Sequence, residues 1–177
     1  MNEKRLTRKQ KRIQQQQNRV EINPKLNFKC AVEYKKLNQT ASAVSFYLRT
    51  AEYGVGPLAY NSLLKMAECF NDQNDRVHTV TNCYLQAIAL VPTRPEAYFL
   101  LSQFHERAGN WQECYTWAEV GLQVSHRYWY EDLPDPVGYL GTYCLEFEKA
   151  VSAWWIGRKE ESVELFQRLY NQDVTKE

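Results

Sequence analysis

The feature that most constrains this chain is a pair of amphipathic stretches joined by a glycine turn, which occurs more than once. Residues 94–124 read RPEAYFLLSQFHERAGNWQECYTWAEVGLQV. Ala97, Leu100, Leu101, Phe104 and Ala108 recur at the spacing of one helix face. Pro95 suits the first turn of that helix, and Glu96 complements its positive end. Gly109-Asn110 closes it, because glycine adopts the left-handed backbone that a helix end requires. Trp111, Cys114, Tyr115, Ala118 and Leu122 then form a second stripe. The pattern predicts an antiparallel helix hairpin.

The hairpin returns along the chain. Residues 148–171 (EKAVSAWWIGRKEESVELFQRLYN) turn at Gly157, with Val163, Phe166 and Leu169 expected to face inward. Upstream, LAYNSLLKMAECF and VHTVTNCYLQAIAL flank the polar link 71–75, and Pro92 ends the pair. A weaker copy spans 25–53 and turns at 37–40. Ala43, Val80, Cys114 and Ser162 take equivalent places after each turn, at spacings of 37, 34 and 48. Two spacings approach a 34-residue period, and the third carries an insertion. The expected fold is an all-α solenoid of four antiparallel hairpins, at about 25–53, 57–92, 94–124 and 139–172. A basic arm, 1–24, precedes it and is expected to be mobile; a short tail, 173–177, follows.

This residue pattern resembles the tetratricopeptide repeat. Tyr98, Leu101, Ser102, His105, Gly109, Cys114 and Ala118 occupy that family's signature places in the third unit, and Ala87 and Pro92 do so in the second. Ser102 stands for the usual Gly, Cys114 for the usual Ala, and the first unit lacks its terminal Pro. AYNSLLKMAECF, PTRPEAYFLLSQFHERAGNW and FEKAVSAWWIGRKEESVELFQRLY further resemble the helical-repeat region that accompanies family 2 glycosyltransferases of bacteria and large phages. There, too, a Pro- and aromatic-containing insertion like VSHRYWYEDLPDPVGY precedes the last hairpin. The nucleotide-sugar domain of that family uses a D-x-D metal motif, which this chain lacks. The resemblance therefore implies an accessory or stand-alone relative without transferase chemistry. The opening LTRKQKR resembles the start of some tailed-phage proteins.

Composition narrows the classes. A hydrophobic share of 44% with 24% charged residues favours a folded chain. Seven Gly and six Pro are too few for the turns of a β-sandwich. No apolar run approaches the ~18–20 residues of a membrane span, and the start is too polar for a secretory signal. The five cysteines, an odd number with no C-x-x-C, fit neither a disulfide framework nor a zinc site. They are expected to be reduced, in the cytoplasm, or in the host cytoplasm if the chain is viral.

No catalytic constellation, cofactor motif or metal site is expected. His78, His105 and His126 share no spacing, and the Glu131, Asp132, Asp135 cluster lacks the ligand pattern of a calcium loop, so it reads as a solvated acidic loop. The function expected is binding. Stacked hairpins leave a concave face lined by the first helix of each unit. The family alignment places Asn61, Glu68, Phe99, Gln103, Glu106 and Arg107 on it, with Trp154 or Trp155 from the last unit. Adjacent helical tryptophans point about 100° apart, so one is expected in the hairpin core and the other towards the inner face or Tyr128–Tyr130. The partner expected is a protein or peptide segment.

Charge offers an alternative. Residues 1–19 carry seven Lys or Arg against one Glu, a balance of +6, while the rest of the chain sums to −5. Lys4, Arg5, Arg8, Lys9, Lys11 and Arg12 are the candidate contacts to nucleic acid or a virion component. The arm lacks the interleaved aromatics on which single-strand binders stack bases.

Overall fold

The computed structural model describes Arg8 and residues 23–74, 76–125 and 131–174. Its helices are α1 (Pro24–Lys36), α2 (Thr40–Tyr53), α3 (Gly56–Asn71), α4 (Val77–Leu90), α5 (Glu96–Arg107), α6 (Trp111–Ser125), α7 (Thr142–Trp155) and α8 (Lys159–Val174). There is no strand among the described residues. Of the arm contacts, Lys4, Arg5, Lys9, Lys11 and Arg12 lie outside the described residues, and Arg8 is exposed. Tyr128–Tyr130 also lie outside them.

Local chemistry explains the helix ends. Pro24 opens α1 behind Asn23, whose side chain accepts a bond from the Leu26 amide at 3.1 Å. Gly109 and Gly157 turn their hairpins with φ of 71° and 87°. Asn38 and Asn74, both at φ 57°, do the same work in the first two units. Helices α1/α2, α3/α4, α5/α6 and α7/α8 pair as hairpins, and each hairpin packs on the next.

Each hairpin crosses at a pair of small buried residues. Ser102 meets Cys114 and Ala150 meets Ser162 in the last two units; Ala31 and Ala43, and Ala67 and Val80, hold the corresponding places in the first two, and none of the eight is more than 1% exposed. The two departures from the family pattern belong together: Ser102 Oγ donates to the Cys114 carbonyl at 3.0 Å. In the last unit the roles reverse, and Ser162 Oγ donates to the Ala150 carbonyl at 2.7 Å. Buried hydroxyls are thus satisfied by the partner helix, at a spacing only small side chains permit. Gly121 meets the same demand, since a Cβ there would stand 2.8 Å from Tyr98 Cβ within its own hairpin and 2.9 Å from Leu145 Cδ2 of the next.

Tyr47, Tyr60, Leu64 and Leu101 are the large residues wholly enclosed in the main core, and Tyr98, Phe99 and Leu145 centre a second cluster towards α7. On α8 the inward residues are Ser162 and Leu165; Val163 and Phe166 are 45% and 39% exposed, contrary to the sequence expectation. A periodic stripe identifies an apolar face without saying which neighbour covers it. On this face the Phe147 ring meets Phe166 edge-on at 6.0 Å.

The insertion before the last hairpin is the main surprise. Residues 131–141, here called the strap, are solvated only in part: Glu131 and Asp132 are exposed, as expected, but Asp135 is half-buried and paired with Lys65. The strap crosses the inner face of the earlier units, with Leu133 and Val137 packed against the main core.

Candidate binding face and its strap

The face is built from α3 outward. Asn61 and Lys65 lie four residues apart on one side of α3, so both side chains point the same way. Asn61 is fully buried; its Nδ2 donates to the Asp135 carbonyl at 2.9 Å, and its Oδ1 accepts from the Asp135 amide at 2.8 Å. Lys65 Nζ donates to the Pro136 carbonyl at 2.7 Å and stands 3.0 Å from the Asp135 carboxylate. Arg94, just before α5, donates through Nη1 to the Glu131 carbonyl at 3.0 Å. Three side chains thus grip the strap largely through its backbone.

Around this grip lies a charged ring. Glu68 meets Lys35 at 2.6 Å and Lys65 at 3.4 Å. Burial alone would raise its carboxyl, but the two lysines hold it below the usual range. Beneath the strap, Arg94 and Glu96 form a buried ion pair, 3% and 8% exposed. Arg94 Nε donates to Glu96 Oε2 at 3.1 Å, and the Tyr60 hydroxyl reaches the same oxygen at 3.5 Å while accepting from the Ala97 amide at 2.8 Å. Burial, then the Glu96 charge, keeps that phenol protonated. Glu96 is therefore an interior anion, where the sequence suggested only a favourable charge at a helix start.

The strap does not fill its bed. A cavity of about 350 Å³ remains beside Pro136, Val137 and Gly138, lined also by Glu68, Gln103 and Arg107. A second groove of about 560 Å³ opens beside Pro134 and Asp135, floored by Phe28, Val32 and Leu58 and edged by Lys25 and Lys29.

The residues expected on the concave face separate into groups. Glu68, Gln103 and Arg107 meet around the first cavity, with Gln103 accepting from Arg107 at 2.9 Å. Asn61 belongs to the same face, but it is enclosed and already bonded to the strap. Glu106 is half-buried. Phe99 is 6% exposed and packs on Tyr139 at 5.6 Å, so it is an interior residue and not part of an open surface. Trp154 and Trp155 are both exposed, at 45% and 60%, and neither enters the hairpin core. Trp155 stacks on Trp111 at 5.2 Å, and Lys159 sits 5.1 Å over Trp154. Since Trp111 follows one turn and Trp155 precedes another, this aromatic group marks the turn edge of the last two hairpins.

Sequence reasoning missed Lys65, Arg94 and the strap itself. One signal was present: Lys65 interrupts the apolar run Leu63–Ala67, and a lysine in such a run must find a partner if it is enclosed.

Among the described residues no group of His, Cys, Asp and Glu is placed to hold a metal ion. Cys83 and Cys114 are pushed up to about 11 by burial, which keeps them as thiols. Burial also lowers His105, whose Nδ1 has no partner.

Glu148, behind the face on α7, is raised to about 7 by burial and next by the Glu106 charge. Unfolded, it would ionise near 4.5. Between those values the folded chain binds more protons than the unfolded one, so stability falls as pH rises through that window. Glu148→Gln is expected to raise stability by about 1–2 kcal/mol at pH 8 and to change little at pH 4. Thermal melts at the two pH values check this; equal shifts at both would contradict it.

No family model matches the chain, and no curated protein matches it. Solved structures do. The chain is similar to MamA at 13% identity and a TM-score of 0.65, with 88% of this chain and 81% of the other covered. It is also similar to the TPR-like repeats of a Podosopora anserina putative kinesin light chain, at 15% identity and a TM-score of 0.61, covering 87% and 76%. At such identities the likeness speaks for the fold alone, and that fold is an all-α solenoid of TPR-like helix hairpins.

Proposed function

We propose that the chain is a non-catalytic protein-interaction scaffold that holds an extended segment of a partner along the inner face of its hairpins. One observation supports this reading above others. The same face already holds polypeptide that is neither helix nor strand, gripped through its backbone by Asn61, Lys65 and Arg94. Gln103 and Arg107 offer further polar groups at the cavity beside it. An accessory role beside a separate glycosyltransferase is the finer proposal; its support is the sequence resemblance.

Affinity capture from native cell extract tests the scaffold. A defined protein should be retained by the parent chain and lost from Gln103→Ala/Arg107→Ala, with both chains melting alike. Retention unchanged by the double substitution would move the binding surface elsewhere. Recovery of a glycosyltransferase would support the accessory role, whereas nucleotide-sugar turnover by the purified chain alone would refute the non-catalytic reading.

The charge of +6 on residues 1–19 favours a second reading, binding of nucleic acid or a virion component through the arm. Affinity for duplex DNA or RNA should then fall steeply with salt and vanish when residues 1–19 are deleted. Binding that survives the deletion would end this reading.

A further inference from the structure

We infer that strap residues 131–137 are an internal pseudo-ligand, and that the groove beneath them selects an extended peptide carrying an acidic side chain between two prolines. The inference rests on the scaffold reading above and adds the partner's chemistry. Asn61 bonds both the amide and the carbonyl of Asp135, a pair of contacts made to backbone alone that reads no side chain. Lys65 reads the side chain. Its ammonium joins the Asp135 carboxylate to the Pro136 carbonyl, and an uncharged residue at that place would forfeit half of this.

The prolines have their own logic. Pro134 and Pro136 bring no amide N–H, so the single donor between them is the Asp135 amide, which Asn61 takes. A peptide of this kind enters with no orphaned donor at its centre. Its fixed backbone angles also lower the ordering cost of binding. Leu133 and Val137, on either side, supply apolar contact. Lys25 and Lys29, along the open groove beside Pro134, extend the positive field that favours an acidic segment.

Two features separate a pseudo-ligand from an ordinary structural loop. The grip runs from groove side chains to strap backbone, which is how a groove holds any peptide of suitable shape. The fit is also incomplete: cavities of about 350 and 560 Å³ flank the strap, in a molecule whose hairpin crossings are closely packed. An external segment competes against a tethered one whose effective concentration is of millimolar order. The intact chain is therefore expected to bind such a peptide weakly, and a chain with a weakened strap to bind it well.

The test uses a fluorescein-labelled peptide EDLPDPVGYL, the sequence of residues 131–140, read by anisotropy. It is titrated into the full parent chain and into Leu133→Ser/Asp135→Ala/Val137→Ser, after circular dichroism and melting of both. The weakened-strap chain should remain helical and bind at least about tenfold more tightly than the parent, as release of the tethered competitor predicts. Adding Lys65→Met to it, or placing Asn for the second Asp of the peptide, should each cost about tenfold. A helical weakened-strap chain that binds no better than the parent overturns the inference. So does binding indifferent to Lys65 and to the peptide carboxylate. Loss of helix in the weakened-strap chain also overturns it, by making the strap part of the core. Failure here with partner capture intact removes the pseudo-ligand and leaves the scaffold standing.

Discussion

Glu96→Ala should destabilise the fold by about 3–5 kcal/mol, because it leaves an interior guanidinium without its anion. Arg94 is 3% exposed and meets the Glu96 carboxylate through two nitrogen–oxygen contacts. Its remaining interactions are softer. It lies 5.4 Å over the Tyr60 ring and donates to the Glu131 carbonyl. Neither replaces the carboxylate as a counter-ion, so removing Glu96 leaves much of the desolvation cost uncompensated. The Tyr60 hydroxyl, which reaches Glu96 across from α3, loses its acceptor as well. Denaturant unfolding should show a lower midpoint at unchanged slope. Arg94→Met/Glu96→Leu, which removes both charges, should lose less than Glu96→Ala alone, since an apolar pair needs no compensation. If Glu96→Ala unfolds at the parent midpoint, water reaches Arg94 and the pair is not interior.

That pair also shows where sequence reasoning stops. The hairpins were legible because their causes are local: apolar spacing within each stretch, Gly109 and Gly157 at turns, small residues after each turn. Ala43, Val80, Cys114 and Ser162 were aligned from sequence, and each is buried at a helix crossing. The candidate face depended on contacts far apart in the chain. Asn61 meets Asp135 across 74 residues, and Lys65 meets Pro136 across 71. No periodicity records such a meeting, so the docking of Asp135 was not legible, while the exposure of Glu131 and Asp132 beside it was.

The outer residues failed for a related reason. Val163 and Phe166 share a stripe with apolar periodicity, yet the surface they offer is the one by which each hairpin receives the next. Tyr115 and Ala118, their counterparts one unit earlier, are 7% and 0% exposed; α7 packs on their helix, and the Tyr115 hydroxyl meets Glu161 of α8 at 2.9 Å. Amphipathicity is a property of the helix; burial is a property of its neighbour. The same distinction accounts for Trp154 and Trp155, whose rings pack on Lys159 and Trp111 at a turn and not in the core.

The last hairpin carries the sharpest packing claim. Ala150 and Ala153 are both fully buried on α7, and Gly157 reverses the chain at φ 87°. Ser162 then crosses Ala150 closely enough for its hydroxyl to bond the Ala150 carbonyl at 2.7 Å. A leucine at 150 must place three more carbons where the α8 backbone already stands. The crossing has two ways to respond, an off-rotamer side chain or a wider helix separation, and widening breaks the Ser162 bond. Ala150→Leu is therefore expected to cost about 1–3 kcal/mol. Ala41→Leu, at an exposed site on α2, should stay within about 0.5 kcal/mol. Denaturant midpoints of the two variants distinguish them. An Ala150→Leu chain as stable as the parent would mean that α7 and α8 cross elsewhere, and the stacking of Trp155 on Trp111, which depends on the same register, would fall with it.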